Sequence, residues 1–418
     1  MSTQKKLVIG LFGFGVVGEG LYLALNNAIY LDASIKKVCI KDADKQRNAP
    51  ARLFTTNPDE LLDDPEINVI VEVINDTAAA KAIALKAIAS GKQLVSASKK
   101  FIAENLQELI ALHSHDNTSF LYESSVCASI PVIRNLEEYY NNDFLQHLSG
   151  IINGSTNFIL HKVFEDNLEY ADALRLAQDL GFAELDPALD VQGTDALHKL
   201  IILLAHAFGI IARPDEILVN GIRNINGYDV RYAKQHQSQI KLVAQARPLQ
   251  NGDIAALVLP TLVRNSSPLS FVKEEYNGVL IRSSLADEQF FYGKGAGSFP
   301  TASAVLSDIA ALSYGYKYEY HKLRQQPGNK LADDAILKVY VSHPHNVKLP
   351  LTDFRSIQTI HDDPERSYII GEISYRYLLE NDWWQSEHIS LLLFEDGITE
   401  KKAPAHSQAS YYTSHQTV

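Results

Sequence analysis

Cysteine is scarce in this chain of 418 residues, with only Cys39 and Cys127, in separate segments and with no metal-type spacing near either. That excludes a disulfide-built or zinc-ribbon scaffold and reads both as reduced thiols, as suits a reducing compartment. Long hydrophobic runs are also missing. No apolar stretch reaches the roughly 20 residues of a membrane helix, and the first residues lack the apolar core of a secretory signal. No membrane partner is expected, and a cytoplasmic location follows by default. Positive charge is in the minority, with 38 Lys and Arg against 50 Asp and Glu, for a formal charge of −12. A protein that grips nucleic-acid phosphates as its main work needs the opposite balance, so no nucleic acid is expected either. No internal repeat is present.

What is there is an ordinary globular composition, 46% hydrophobic and 21% charged, on a chain too long for one core. Two or three domains are expected. An apolar run over 7–12 stops at glycines, and residues 16–25 then read as a helix. Further strands are expected at 38–40, 69–74, 93–96 and 120–122, with an Ala-rich helix over 78–89. Strands alternating with helices imply a parallel, doubly wound sheet. From a helix beginning near Pro131 the pattern changes. A strand at 150–152 is followed by helices over 168–180 and 195–208. Strands at 240–247, 255–263, 278–283 and 289–292, with a short helix near 269–273, then suggest an α+β unit with an open, largely antiparallel sheet. After a linker turn at 326–329 come strands at 335–341, 356–360, 368–374 and 388–394 and a helix near 375–380. The last residues, rich in Ser, Thr, His and Gln, read as a mobile tail.

The chemistry begins at Gly13-Phe14-Gly15-Val16-Val17-Gly18. A G-x-G-x-x-G match is weak alone, but this one follows an apolar strand and opens a helix, the context of a Rossmann dinucleotide site. Gly13 permits the tight turn, Gly15 lets backbone approach a pyrophosphate, and Gly18 lets helix pack on strand. The bland alternative is a simple Gly-rich turn. The end of the second strand decides between coenzymes, since an acid there binds ribose hydroxyls and a base tolerates a 2′-phosphate. Here Lys41, Lys45 and Arg47 favour NADP, while Asp42 or Asp44 could equally turn toward a ribose, as in NAD.

Asp195 and Lys199 stand four apart at the start of an apolar helix, so they share a face. From this helix alone an ordinary surface ion pair is the simpler reading. The preceding segment, 180–194, adds Glu184, Asp186 and Asp190 on a loop leading into the same helix. Four carboxylates and a lysine at one helix start suit a small zwitterion whose ammonium must be held, and loops on a rigid scaffold are where such sites sit.

Taken together these segments resemble the homoserine dehydrogenases, from Lys6 to about Asp308. The motifs, in the family's order, are the Gly13–Gly20 turn, Ser96-Ala97-Ser98-Lys99, Tyr122-Glu123-Ser124-Ser125-Val126, the 150–160 segment beginning Gly150-Ile151-Ile152-Asn153-Gly154, the 181–199 segment, and the 293–305 segment beginning Gly293-Lys294-Gly295-Ala296-Gly297. The resemblance implies interconversion of L-homoserine and L-aspartate 4-semialdehyde with NADP(H) or NAD(H), in threonine, methionine and isoleucine biosynthesis. It implies that Lys199 and Lys99 are the catalytic groups that take or relay the hydroxyl proton, with Asp195 orienting Lys199. Glu184, with Asp190 in second rank, would bind the substrate together with Lys199. Gly295 would belong to a turn closing over the nicotinamide, and Ser98 and Lys99 to its near side. Asn153, Thr156 and Asn157 look cofactor-side or loop-shaping. Glu123 with the backbone of Val126 and Ala128 resembles a monovalent-cation site, for an ion such as Na+; the alternative for Glu123 is a helix cap. The family is usually dimeric or larger through the second domain, so a homodimer or higher homo-oligomer is expected.

The expected layout is a Rossmann-type α/β domain over 1–135 with the 300–320 helix returning to it, an α+β catalytic and dimerisation domain over 136–299, a small divergent α+β region over 321–396, and a tail over 397–418. Some segments depart from the family. Ser98 stands where Asn is common, Asn75-Asp76 where a glycine pair often lies, and Cys127-Ala128-Ser129 where an Ala-Gly-Gly type segment is usual. Many family members also end in an ACT-type amino-acid-sensing domain. Here residues 343–350 hold two prolines and are too short for the first helix of that plan, so a reduced ACT-like appendage serving assembly is expected. Two other readings remain: another nicotinamide oxidoreductase of amino or hydroxy acids, and a dinucleotide-binding sensor without chemistry.

Overall fold

The computed structural model describes residues 6–28, 30–115, 118–326 and 328–400. The first strand, β1 (Leu7–Phe12), is apolar on both faces, as a central parallel strand must be. It feeds through the glycine turn into α1 (Val16–Asn26). β2 (Ala33–Cys39) starts earlier than expected, because its first residues alternate half-buried and exposed and so lack a continuous apolar run. Then come β3 (Phe54–Thr55), α2 (Asp59–Leu62), β4 (Val69–Glu72), α3 (Thr77–Ala89), β5 (Gln93–Ser96), α4 (Lys99–His115) and β6 (Phe120–Leu121). The order across the sheet is β3-β2-β1-β4-β5-β6, parallel throughout. Strand order reverses between β1 and β4, and the crevice beyond the carboxyl ends of such strands is where dinucleotides bind.

Two short helices, α5 (Ser124–Cys127) and α6 (Val132–Glu138), lead to β7 (Leu145–Ile151), α7 (Gly154–Glu165), α8 (Tyr170–Asp179), α9 (Ala188–Val191) and α10 (Thr194–Phe208). There follow β8 (Leu218–Val219), α11 (Gly227–Gln235), β9 (Ser238–Pro248), β10 (Ile254–Arg264), β11 (Tyr276–Ser283), β12 (Asp287–Lys294) and α12 (Ser298–Leu312). α12 packs back on α1, and the Ser298 hydroxyl donates to the Val16 carbonyl at 2.8 Å, tying the two halves together. The chain ends in α13 (His321–Gln325), β13 (Ala335–His343), β14 (Phe354–Asp362), β15 (Ser367–Ser374), α14 (Tyr375–Glu380) and β16 (Ser390–Glu400).

The second sheet runs β12-β11-β7-β9-β10-β16-β13-β15-β14, with β8 also on β10. Its pairings are antiparallel except for β10 with β16 and β10 with β8. The last four strands therefore extend the catalytic sheet instead of closing a sheet of their own. Taken alone they lie in the order fourth-first-third-second, as in a split βαβ unit. Only a one-turn helix at Leu351–Asp353 stands between β13 and β14, so the first helix of that plan is absent, as the two prolines imply. The expected tail begins too early: β16 holds residues 397–400 through pairs such as Ile398 with Leu337. The remainder of the tail, 401–418, and Pro327 of the linker turn lie outside the described residues.

Helix α7 is a second difference. Its start, Asn153-Gly154-Ser155-Thr156, is polar and small, which reads as loop, yet Asn153 caps the helix by accepting from the Thr156 N–H at 2.8 Å. Asn157 is buried against the 272–276 segment, donating to the carbonyls of Val272, Glu274 and Tyr276, so it shapes a loop. α10 is apolar nearly all round, and every residue from Asp195 to Phe208 is buried. It lies between the two halves, touching α4 on one side and β9 on the other. Both thiols are free; Cys39 is half-buried and Cys127 buried. Burial pushes the Cys127 thiol up to about 12, and the thiolate is the reactive form. In a titration with a disulfide reagent Cys127 should stay inert in the native protein and react once urea unfolds it; labelling at the rate of a free thiol would contradict this packing.

Candidate active site

One wall of the site is the glycine turn. Gly13 sits at φ +98°, and a Cβ there would lie 2.9 Å from the Val73 carbonyl oxygen. At Gly18 a Cβ would come within 2.2 Å of the Gly13 carbonyl oxygen, so helix and turn close up only because both are glycine. A Cβ at Gly15 would meet nothing within 4 Å. That open approach to backbone at the start of α1 fits a pyrophosphate, which the helix N-terminus favours. Phe14 is buried edge-on to Tyr22 and Phe54, whereas Val16 is exposed and Val17 half-buried at the rim.

The loop after β2 completes this wall. An open cleft beside Phe14, Gly15 and Val16 is lined by Lys45, Gln46, Arg47 and Asn48. Lys41, expected at the cofactor, is exposed and outside that lining. Asp42 spends its carboxylate on its own loop, accepting from the N–H groups of Asp44 at 2.9 Å and Lys45 at 3.3 Å. Arg47 is fixed: its guanidinium donates to the Asp42 and Lys45 carbonyls, each at 2.6 Å, and stacks over Phe54.

The opposite wall is built at the helix starts that α10 brings together. Asp195, 4% exposed, lies between two ammonium groups. Its Oδ1 is 2.5 Å from Lys99 Nζ at the start of α4, and its Oδ2 is 3.0 Å from Lys199 Nζ. Asn153 Nδ2 donates to Asp195 at 2.9 Å and to Asp190 at 2.7 Å, joining the loop to the cluster. Burial alone would raise the Asp195 carboxyl, but Lys199, Lys99 and Asn153 override it and hold it well below the usual carboxylate range. Lys99 is raised above the ordinary lysine value, chiefly by Asp195 against the opposing effect of burial, with Asp190 and Glu184 adding to it. Lys199 is buried and donates to the Ile152 carbonyl at 2.6 Å. An ammonium has three donors, so one remains free on Lys199 among the described residues. Glu184 is exposed above this cluster and Asp190 half-buried. Asp186 turns away, accepting from the Ala188 N–H at 3.1 Å.

Ser98 lies between the walls, and with it comes a residue that the sequence reading missed, Glu72. Fully buried at the end of β4, Glu72 accepts from the Ile74 N–H at 2.7 Å and from the hydroxyls of Ser96 and Ser98 at 2.5 and 2.8 Å. An acid closing the apolar run Val69-Ile70-Val71 was the available signal. Gly295 follows β12, where the buried Asn277 amide occupies the space a side chain would need. Glu123 is buried and accepts from the N–H groups of Ile133 and Arg134 at 2.9 and 2.8 Å, which is the capping arrangement at the start of α6. Burial pushes its carboxyl up. Val126 and Ala128 are buried beside it, Ala128 at φ +43°. Among the described residues no group of three or more His, Cys, Asp or Glu is placed to hold a metal ion.

A dinucleotide-type glycine turn and a Lys-Asp-Lys cluster centred on the buried Asp195 thus lie at the carboxyl ends of strands of one parallel sheet, and comparison with known proteins says which family this is. Residues 13–123 match the family model for the homoserine dehydrogenase NAD binding domain and residues 131–310 that for homoserine dehydrogenase. The homoserine dehydrogenase of Bacillus subtilis is 36% identical over 318 residues, covering 74% of this chain and 73% of its own. The chain belongs to the homoserine dehydrogenase family. A solved homoserine dehydrogenase from Thiobacillus denitrificans superposes with a TM-score of 0.80 at 29% identity, covering 94% of this chain and 99% of that one. A hyperthermophilic archaeal homoserine dehydrogenase mutant, solved in complex with NADPH, superposes with a TM-score of 0.65 at 26% identity, over 75% of this chain and all of that one. The homoserine dehydrogenase match to the Thiobacillus chain thus spans the C-terminal strands as well as the two walls of the site.

Proposed function

We propose that this chain oxidises L-homoserine to L-aspartate 4-semialdehyde, and runs the reverse reduction, with NADP(H) as its coenzyme and as a homodimer or larger homo-oligomer. The observation that carries the reading is the bridging of Lys99 and Lys199 by one buried carboxylate, Asp195, with Lys99 following β5 at the same carboxyl edge of the parallel sheet as the glycine turn. A sensor that only binds dinucleotide has no use for two ammonium groups paired to one buried carboxylate.

The bound nicotinamide supplies the hydride acceptor, and Gly13, Gly15 and Gly18 with the N-terminus of α1 are the residues that would hold its pyrophosphate. The protein's task is to hold the alcohol and manage its proton. The third position on the Lys199 nitrogen faces the substrate oxygen: as the neutral amine its lone pair takes the hydroxyl proton on oxidation, and the ammonium so formed gives that proton to the carbonyl oxygen on reduction. Asp195 orients both lysines, and Glu184 and Asp190 give the substrate ammonium its carboxylate partners. A spectrophotometric assay with homoserine and NADP tests the reading; no turnover with either NADP or NAD would overturn it.

The NADP preference rests on Lys45 and Arg47 at the cleft and on Asp42 being spent on its own loop. A charge-assisted contact contributes about 1.5–3 kcal/mol. Lys45 is exposed, so solvent screens most of its share, and replacing both Lys45 and Arg47 by alanine should raise KM for NADP about 10- to 100-fold, while KM for NAD stays within about twofold. Equal effects on the two coenzymes would remove the assignment.

A further inference from the structure

Glu72 is used neither for coenzyme phosphate nor for the Lys-Asp-Lys cluster, yet it is completely buried and fully hydrogen-bonded. β4 and β5 are neighbours in register, with Glu72 opposite Ser96, so its carboxyl sits where the two strands open into the cofactor crevice. Through Ile74 it holds the segment after β4, which contains Asn75 and Asp76. Through Ser96 and Ser98 it holds the turn after β5. The single Ser98 hydroxyl proton is shared between Glu72 and the Ile74 carbonyl, 2.8 Å from each, which closes the link between the two segments. The very next residue, Lys99, begins α4 and reaches Asp195. Among the described residues no cation pairs with Glu72, so hydrogen bonds to two hydroxyls and one N–H hold it. Burial raises its carboxyl, in keeping with a group that works through hydrogen bonds and not through charge.

We propose that Glu72 is a positioning residue, which locks the 73–76 and 97–98 segments together and so fixes both the nicotinamide side of the cleft and the start of α4 that carries Lys99. The proposal rests on the dehydrogenase reading above for its kinetics, but its binding arm does not. A misplacement of about 1 Å at a reacting group costs on the order of 100-fold, so the loss of this tie has a measurable effect on turnover without touching substrate.

The test compares Glu72→Gln, which keeps a carbonyl for Ile74 and Ser98 and an amide for Ser96, with Glu72→Ala, which keeps nothing. Thermal melts, kcat and KM with homoserine, and a fluorescence titration with NADPH are read for each. Glu72→Gln should stay within about threefold of the parent in kcat and in NADPH Kd. Glu72→Ala should lose about 30-fold in kcat and about tenfold in NADPH affinity, with KM for homoserine within about threefold. A merely structural carboxyl would lower the melting temperature and leave kcat per folded molecule and NADPH affinity unchanged, which overturns the proposal. So does a Glu72→Gln variant as impaired as Glu72→Ala. Should Glu72→Ala fail to fold, Ser98→Ala carries the test, with about a fivefold loss of NADPH affinity expected and an unchanged affinity overturning the idea. If the parent protein does not turn over homoserine at all, the dehydrogenase reading fails, and the NADPH series still decides the role of Glu72.

Discussion

Replacing Lys199 by alanine is expected to lower kcat about 1000-fold while the protein stays folded, a loss of roughly 4 kcal/mol in transition-state stabilisation. Lys199 is buried, and its ammonium is held at two points, the Ile152 carbonyl and Asp195, which leaves one donor for the reacting oxygen. In the proposed mechanism its removal takes away the group that exchanges the hydroxyl proton, and it takes one partner from Asp195, but Asp195 keeps Lys99 at 2.5 Å and Asn153 at 2.9 Å. No buried charge is stranded, so the melting temperature should fall by only a few degrees. The measurement is kcat from reduced nicotinamide formation beside a circular-dichroism melt. Lys199→Met is the companion, because it keeps most of the apolar stem in place and separates lost packing from lost chemistry. Activity within about tenfold of the parent, or unfolding that accounts for the loss, would return Lys199 to the role of a structural ion-pair partner.

The nucleotide half was legible because its physics is local. An apolar strand, three glycines and a helix within about twenty residues declare themselves, and β1 and α1 lie where the pattern puts them. The pair Asp195 and Lys199 was legible as one face of a helix, but its depth was not. That depends on α10 being covered by α4 and β9, elements far away in the chain. Lys99 illustrates the same limit: beside Lys100 it looks solvated, and only the fold carries it to Asp195. Glu72 was passed over because its partners, Ser96 and Ser98, lie at the end of the next strand and in the turn after it, so the one local mark, an acid closing an apolar run, did not say what it holds. At the coenzyme loop the sequence offers Lys41, Lys45 and Arg47 alike, and their geometry was not legible: Lys41 is exposed and outside the cleft lining, while Arg47, six residues later, folds back over Phe54. Helix α7 was passed over in the sequence, because a capping Asn followed by Gly-Ser-Thr looks like a loop until its N–H groups are counted.

Asp195 should prove costlier to remove than either lysine. Asp195→Ala leaves the buried Lys199 ammonium without its carboxylate and beside the half-exposed Lys99, and breaking a buried pair by deleting one partner typically costs about 3–5 kcal/mol. Urea unfolding at neutral pH should show that loss, together with turnover at or below that of the Lys199 variant; an unchanged midpoint would mean that the cluster is open to water. Acid gives an independent check. The folded-state carboxyl is held far below its unfolded value of about 3.9. Its contribution is therefore fully present above about pH 4 and is lost as pH falls toward the folded value. The parent should lose stability on that descent, and Asp195→Asn, which has nothing to titrate there, should lose less. The two substitutions should also fail to add. Once Lys199 is gone, deleting Asp195 strands only the half-exposed Lys99, which water can solvate. The double variant should accordingly be more stable than the sum of the single losses predicts, by about 1–3 kcal/mol. Strict additivity would show that Asp195 and Lys199, though 3.0 Å apart, do not depend on one another.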